Sequence, residues 1–245
     1  MTVKLQMLGT GSAFAKQYAN NNGIISTSST KLFIDCGITA PLALHQLGLT
    51  FDQLDGAIIT HLHGDHVGGL EEYGFQMMFR YKRKPKLYIA NTLVEPLWEH
   101  TLKGGMSQPG LECLEDVFDV HPLVPETSYV IDDECSIRLI QTPHIPNKYS
   151  YSLVVNEIFF YSADMRFQPQ LLEQLVQQGI SSIWHDCQLI GAGEVHATIT
   201  ELLSLPPATQ SLISLMHYGD ERSEWEGRTG LMPFVEPHHV YTIVT

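Results

Sequence analysis

Short apolar runs divided by turn residues set the pattern of the N-terminal half. Val3–Leu8, Gly23–Ser28 and Lys31–Ile34 read as strands, the last closing on Asp35-Cys36-Gly37. Pro41–Leu47 predicts a helix, with proline in its first turn and Gly48 as its stop. Gly56–Thr60 predicts a buried strand. Glu71–Tyr81 and Leu93–Leu102 predict helices, with a strand at Lys86–Ala90 between them. Residues 103–115 contain Gly104-Gly105 and Pro109-Gly110, which predict a flexible loop.

The second half repeats the alternation. Cys135–Gln141, Ser152–Val155 and Ile158–Tyr161 read as strands, with a tight hairpin turn at Asn156-Glu157. A helix at Pro169–Gln178 leads to a strand at Ser182–His185. A helix near Thr198–Ser204, a strand at Leu212–Met216 and a closing strand at Val240–Val244 follow. Each half places strands first and strand–helix units after them. This predicts an α/β fold with two mixed sheets packed face to face and helices outside, an αββα sandwich. No linker or repeat divides the chain, so residues 1–245 are expected to form one domain.

The apolar fraction of 44%, with 17% charged residues, excludes wholesale disorder. The longest apolar runs are strand-sized, too short to cross a bilayer. Charge changes the picture more. With 14 Lys+Arg against 27 Asp+Glu the formal charge is −13, which repels a phosphate backbone at long range and makes a long nucleic-acid partner unexpected. The one basic cluster, Arg80, Lys82, Arg83, Lys84 and Lys86, is modest. A small anionic substrate remains compatible, because a bound metal can reverse the local field. Cys36, Cys113, Cys135 and Cys187 form no C-x-x-C pair, which argues against a disulfide framework and a thiolate zinc site. The first residues lack the basic start and apolar core of a secretory signal, so a cytoplasmic location is expected, in the host cell if the source is viral.

Twelve histidines in an acidic chain are the oddity, and their placement is informative. His61-Leu62-His63-Gly64-Asp65-His66 follows the strand Gly56–Thr60 directly. Three imidazoles and a carboxylate on so short a loop suit Zn²⁺, and the absence of thiolates leaves Mn²⁺ or Fe²⁺ possible. Gly64, Gly68 and Gly69 would let the backbone fold tightly around the site. One ion cannot easily take all four side chains, so two divalent ions are expected. Further candidate ligands stand just beyond apolar strands: His144 after Cys135–Gln141, Asp164 after Ile158–Tyr161 and His217 after Leu212–Met216. Taken singly, His144 or His217 would pass for an ordinary buried histidine.

The H-x-H-x-D-H block with these three later residues resembles the metallo-β-lactamase fold superfamily over nearly the whole chain. The resemblance implies that His61, His63 and His144 bind one metal, that Asp65, His66 and His217 bind the other, and that Asp164 bridges them. Within the superfamily, Leu8-Gly9-Thr10-Gly11-Ser12 resembles the opening of the RNase Z-like branch. Trp184-His185-Asp186-Cys187 stands where that branch has His-Glu-Ala-Thr, and Val195-His196-Ala197-Thr198 resembles its Gly-His-Ser-Thr motif. The likeness implies that His196 protonates the leaving group and that Asp186 orients it, with Asp in place of the family's Glu. Read without it, Asp186 could cap a helix and His196 could be a surface residue.

A pair of divalent ions suits in-line displacement at phosphorus, with Asp65 both ligating and orienting the attacking group. A histidine with a pKa near neutrality suits protonation of a departing alkoxide, a need greater for a phosphodiester than for an amide or thioester. RNase Z enzymes that grip tRNA carry a long basic arm between the residues matching His144 and Asp164, here only 20 positions apart. The compact, armless chain resembles the anti-Pycsar phosphodiesterases of phages and bacteria. That likeness implies opening of 3′,5′-cyclic nucleotides to linear monophosphates. It also implies a homodimer in which a loop of one protomer completes the other's site, and residues 103–115 are the candidate for it. Tyr149 and Tyr151 are candidates to stack on a base, or core packing. The alternatives are an RNase Z-like tRNA 3′ endonuclease or other RNA-end nuclease, and a metal-stabilised module that sequesters a nucleotide.

Overall fold

The computed structural model describes residues 2–244, so Met1 and Thr245 of the expected domain lie outside the described residues. Among the described residues, thirteen strands form two sheets. The first contains β1 (Thr2–Gly9), β2 (Asn22–Ser26), β3 (Lys31–Ile34), β4 (Gly56–Ile59), β5 (Lys86–Ala90), β6 (Asp119–Leu123) and the closing β13 (Val240–Val244), in the order β13-β1-β2-β3-β4-β5-β6. The second contains β7 (Ser128–Val130), β8 (Ser136–Gln141), β9 (Tyr151–Val155), β10 (Phe159–Tyr161), β11 (Ser182–Asp186) and β12 (Ile213–Met216), in the order β12-β11-β10-β9-β8-β7. Both sheets are mixed, and the fold is the expected αββα sandwich.

Side-chain alternation on the second sheet shows the layering. Leu153, Val155, Phe159 and Tyr161 join the core shared with the first sheet. Their neighbours Val154 and Phe160 join a second core with Leu172, Leu175, Ile199 and Leu202 from the helices Pro169–Gln177 and Ile199–Leu203. A sheet covered on both faces needs apolar residues at successive positions, which is why Leu153–Val155 of β9 and Phe159–Tyr161 of β10 are unbroken apolar runs. The hairpin between them turns at Asn156 (φ 51°) and Glu157 (φ 55°), two left-handed residues as a tight primed turn requires.

Several segments differ from expectation. Strands β6 and β7 occupy sheet edges, where Pro122 is tolerated and half-exposed polar residues hide the alternation. Residues 103–115 are not a plain loop. Lys103–Met106 is helical, Gln108 and Leu111 exchange backbone hydrogen bonds, and Leu114–Val117 is a further helical turn. Met106, Leu111 and Leu114 are buried there, so apolar anchors override the glycine and proline signals. Glu71–Tyr81 is a helix at Leu70–Phe75 that widens to π geometry at Gln76–Arg80.

The topology aims the strands at one edge. β3 and β4 are parallel neighbours, as are β10, β11 and β12. β8 and β10 both run antiparallel to β9 and therefore point the same way. The residues that follow these strands accordingly gather at carboxyl ends, where α/β sheets place their ligands. The turn after β3 clamps the loop after β4: Cys36 N donates to His66 O (2.7 Å) and Gly69 N to Cys36 O (2.9 Å), while Asn22 of β2 bridges them, accepting from Gly37 N (2.9 Å) and donating from Nδ2 to Asp65 O (2.9 Å).

A Cβ on Gly37 would lie 1.8 Å from the Asp65 carbonyl oxygen, and one on Gly69 2.5 Å from that of Gly37. Gly64, by contrast, has open space around it, so its glycine is not required by packing. Gly37→Ala is therefore expected to lower unfolding stability by roughly 1–3 kcal/mol, read from urea denaturation. An unchanged midpoint would show that the two turns do not meet as described.

Candidate metal centre

Every predicted site residue except His196 stands at or just beyond a strand end. His61, His63, Asp65 and His66 follow β4; His144 follows β8, Asp164 β10 and His217 β12; Asp186 ends β11. The helix Ile199–Leu203 is capped reciprocally by Thr198 and Glu201, and Ala197 N donates to Met165 O (3.0 Å), which carries His196 to the same place. Asp35 (φ 60°), Ala163 (φ 50°) and His217 (φ 57°) leave their strands in left-handed backbone, a strain of the sort that collects at functional sites. The structure brings all nine predicted residues together.

Two groups of ligand-type atoms share Asp164: His61, His63 and His144 on one side, Asp65, His66 and His217 on the other. In the first, His63 Nδ1 lies 3.0 Å from His61 Nε2 and 3.3 Å from His144 Nε2. Asp164 Oδ2 lies 3.7 Å from His61 Nε2 and 3.8 Å from His144 Nε2. In the second, His66 Nε2 is 3.2 Å from both Asp65 Oδ2 and Asp164 Oδ1. His217 Nε2 is 3.4 Å from Asp65 Oδ2 and 3.3 Å from Asp164 Oδ2. Ligands set tetrahedrally about 2.0–2.2 Å from one ion stand about 3.3–3.6 Å apart. The observed spacings straddle that edge length.

Two further observations fit a cation. His66 Nε2 and Asp164 Oδ1 are buried and 3.2 Å apart without forming an aligned hydrogen bond, an arrangement that an ion bonded to both would satisfy. Asp35, Asp65, Asp164 and Asp186 are all buried, and among the described residues their ion-pair partners are all histidines. Burial pushes His61, His63 and His144 down, His63 to about 4, so all three are neutral imidazoles with a lone pair to offer. Burial acts the same way on His66 and His217 but is overridden there. Asp164 and Asp35 raise His66 well above its ordinary value, and Asp164, Asp186 and Asp65 raise His217 to about 10. Those protons stand in for positive charge that a divalent ion would supply.

The imidazoles are fixed from behind. His61 Nδ1 is 3.1 Å from Thr60 Oγ1, His144 Nδ1 donates to Val195 O (2.8 Å) and His66 Nδ1 meets Asp35 Oδ2 (2.7 Å). Such partners set tautomer and ring orientation in metal sites. Asp186 serves two rings, with Oδ2 2.7 Å from His196 Nδ1 and Oδ1 3.4 Å from His217 Nδ1. Burial would lower the His196 pKa, but the Asp186 carboxylate beside it raises it and leaves Nε2 as the free nitrogen. Asp35 and Thr60 escaped sequence reasoning. The signal was present, since Asp35 follows a buried apolar strand as Asp164 does.

Two clefts open onto the cluster. One, about 430 Å³, is lined by His61, His100, Lys148 and Tyr149; the other, about 570 Å³, by Asp65, Asp164, His196 and His217. Tyr151 is buried with its hydroxyl 2.6 Å from Thr92 Oγ1, so it packs the core, while Tyr149 remains exposed. The exposed pair His238 and His239 lies apart from the site, and no helix among the described residues is long and apolar enough to cross a membrane.

A profile of the family described as "Anti-Pycsar protein Apyc1" matches residues 3–241. A relative of that name from Paenibacillus sp. (strain J14) is 55% identical over 245 residues, covering 99% of this chain and 100% of the relative. Another from Paenibacillus harenae is 53% identical over 239 residues, 98% of this chain and 99% of the relative. Among solved structures, the metallo-β-lactamase fold protein YhfI from Bacillus subtilis superposes with a TM-score of 0.76 at 14% identity, covering 99% of this chain and 100% of that one. The fold is thus the metallo-β-lactamase fold, and its His/Asp cluster offers groups that could hold metal ions. By sequence over almost its whole length, the chain belongs to the anti-Pycsar protein Apyc1 family.

Proposed function

We propose that this protein is a phosphodiesterase that hydrolyses 3′,5′-cyclic nucleoside monophosphates (cCMP, cUMP, cAMP and cGMP) to linear monophosphates, and so counteracts cyclic-nucleotide antiphage signalling. The observation that carries the reading is His196, paired to Asp186 at 2.7 Å and standing beside a seven-residue metal-ligand set. His61, His63, His144 and Asp164 would hold one divalent ion, and Asp65, His66, His217 and Asp164 the second. Zn²⁺ suits the donor set best, with Mn²⁺ second. When bound, two such ions supply an activated water and charge neutralisation at the phosphate.

The chain's own groups do the rest. Asp65 orients the attacking water from the ligand sphere. The phosphorus–oxygen bond to the ribose breaks as the new oxygen–phosphorus bond forms. His196, protonated at both nitrogens, gives its Nε2 proton to the departing oxygen, and the Asp186 carboxylate at Nδ1 stabilises that charged ring beforehand and orients it. Between His144 and Asp164 stands only the hairpin β9–β10, with no arm to grip an RNA. The relatives' name, anti-Pycsar, supports a small cyclic substrate over a tRNA. The reading further takes residues 1–245 as one cytoplasmic domain acting as a homodimer. The exposed turn 107–110 is the part of residues 103–115 that would reach a partner's site.

Metal-replete protein incubated with the four cyclic nucleotides beside a pre-tRNA is expected to open cyclic nucleotides and leave the tRNA intact. Cleavage of the tRNA with every cyclic nucleotide surviving would replace this reading with the RNA-end nuclease. His196→Ala should retain its metal content by elemental analysis while the single-turnover rate falls by roughly 10²–10⁴-fold, the range for loss of a general acid. Unchanged turnover would remove His196 from the mechanism.

A further inference from the structure

The two clefts are not equivalent for a cyclic nucleotide. In-line displacement sets the attacking water and the departing oxygen on opposite sides of phosphorus. Both ester oxygens of a 3′,5′-cyclic phosphate belong to the ribose, so the sugar and its base lie on the leaving-group side. His196, the proposed proton donor, lines the 570 Å³ cleft and not the other.

That cleft has a polar floor made of the metal cluster and apolar walls made of Ala13, Phe14, Ile38, Ile145 and Val195. No amide or hydroxyl side chain lines it among the described residues, and its polar side chains are the histidines and carboxylates of the metal cluster and His196, leaving the outer walls apolar. Phe14 is 86% exposed and Ile38 69%, a pairing of large apolar groups at one cleft mouth that the fold's own packing does not use. The loop that presents Phe14 is tied down. Gly11 N donates to Ala19 O (2.8 Å) and Ser12 N to Tyr218 O (2.9 Å). The Asp220 carboxylate accepts from Lys16 N (2.9 Å) and Gln17 N (2.8 Å). A phenyl ring is therefore held out over the cleft by an ordered loop.

We infer that Phe14 stacks on the nucleobase of the substrate, with Ile38 completing an apolar clamp, and that it sets affinity by ring area and not by base identity. The inference rests on the cyclic-nucleotide reading above. Aromatic stacking accepts every base, because each has a π-face. Pyrimidine and purine substrates should both be accepted, with the larger purine bound more tightly.

Steady-state kinetics of Phe14→Ala and Phe14→Trp test this, with the four cyclic nucleotides and a 3′,5′-cyclic ribose phosphate lacking a base. Phe14→Ala is expected to raise KM for the nucleotides about 5- to 150-fold with kcat little changed, to act on the abasic compound as the parent does, and to keep the parent's mass in solution. Phe14→Trp should restore KM. Unchanged KM for the nucleotides overturns the inference while the parent's activity still upholds the cyclic-nucleotide reading. An equal loss on the abasic compound, or a changed mass in solution, assigns Phe14 to loop structure or to an interface and also overturns it. A parent protein that opens no cyclic nucleotide overturns the underlying reading, and the inference falls with it.

Discussion

Four carboxylates buried in one cluster cannot remain ionised in a low-dielectric interior without compensating positive charge, and that constraint organises this molecule. Asp35, Asp65, Asp164 and Asp186 meet only histidines as ion-pair partners, and His66 and His217 retain protons against their burial. The three remaining imidazoles, His61, His63 and His144, are driven neutral. The site is thus divided into a neutral nitrogen-rich half and a carboxylate-rich half, joined at Asp164. The proposed pair of divalent ions would answer both needs at once.

The sandwich exists to bring distant chain segments to that point. β3, β4, β8, β10, β11 and β12 all end near it, so residues more than a hundred positions apart become neighbours through strand direction alone. The tight turns pay for this convergence in backbone strain at Asp35, Ala163 and His217 and in the close approach at Gly37. A substitution at Gly37 would act on the site through the backbone of Asp65, without touching a ligand.

Much of this was legible in the chain because the signals were local. An apolar strand followed within three residues by His or Asp marked His61, His144, Asp164 and His217, and the Asn156-Glu157 turn announced its hairpin. What escaped was set by tertiary context. Asp35 has the same position relative to its strand, but its partner His66 is 31 residues away in sequence and contributes no motif around it. Strands β6 and β7 lie at edges where neighbours, not side-chain pattern, create the pairing. Residues 103–115 fold because Met106, Leu111 and Leu114 find a core that composition alone does not reveal. Tyr151 offered an aromatic ring near His144, and only its burial shows that the ring faces inward.

The proposed chemistry depends on a pair of ions at this site. Crystals of metal-replete protein, measured at the absorption edge of the bound metal, are expected to show two anomalous peaks about 3.5–4 Å apart, with Asp164 in contact with both. A single peak, or a pair placed away from Asp164, would contradict it.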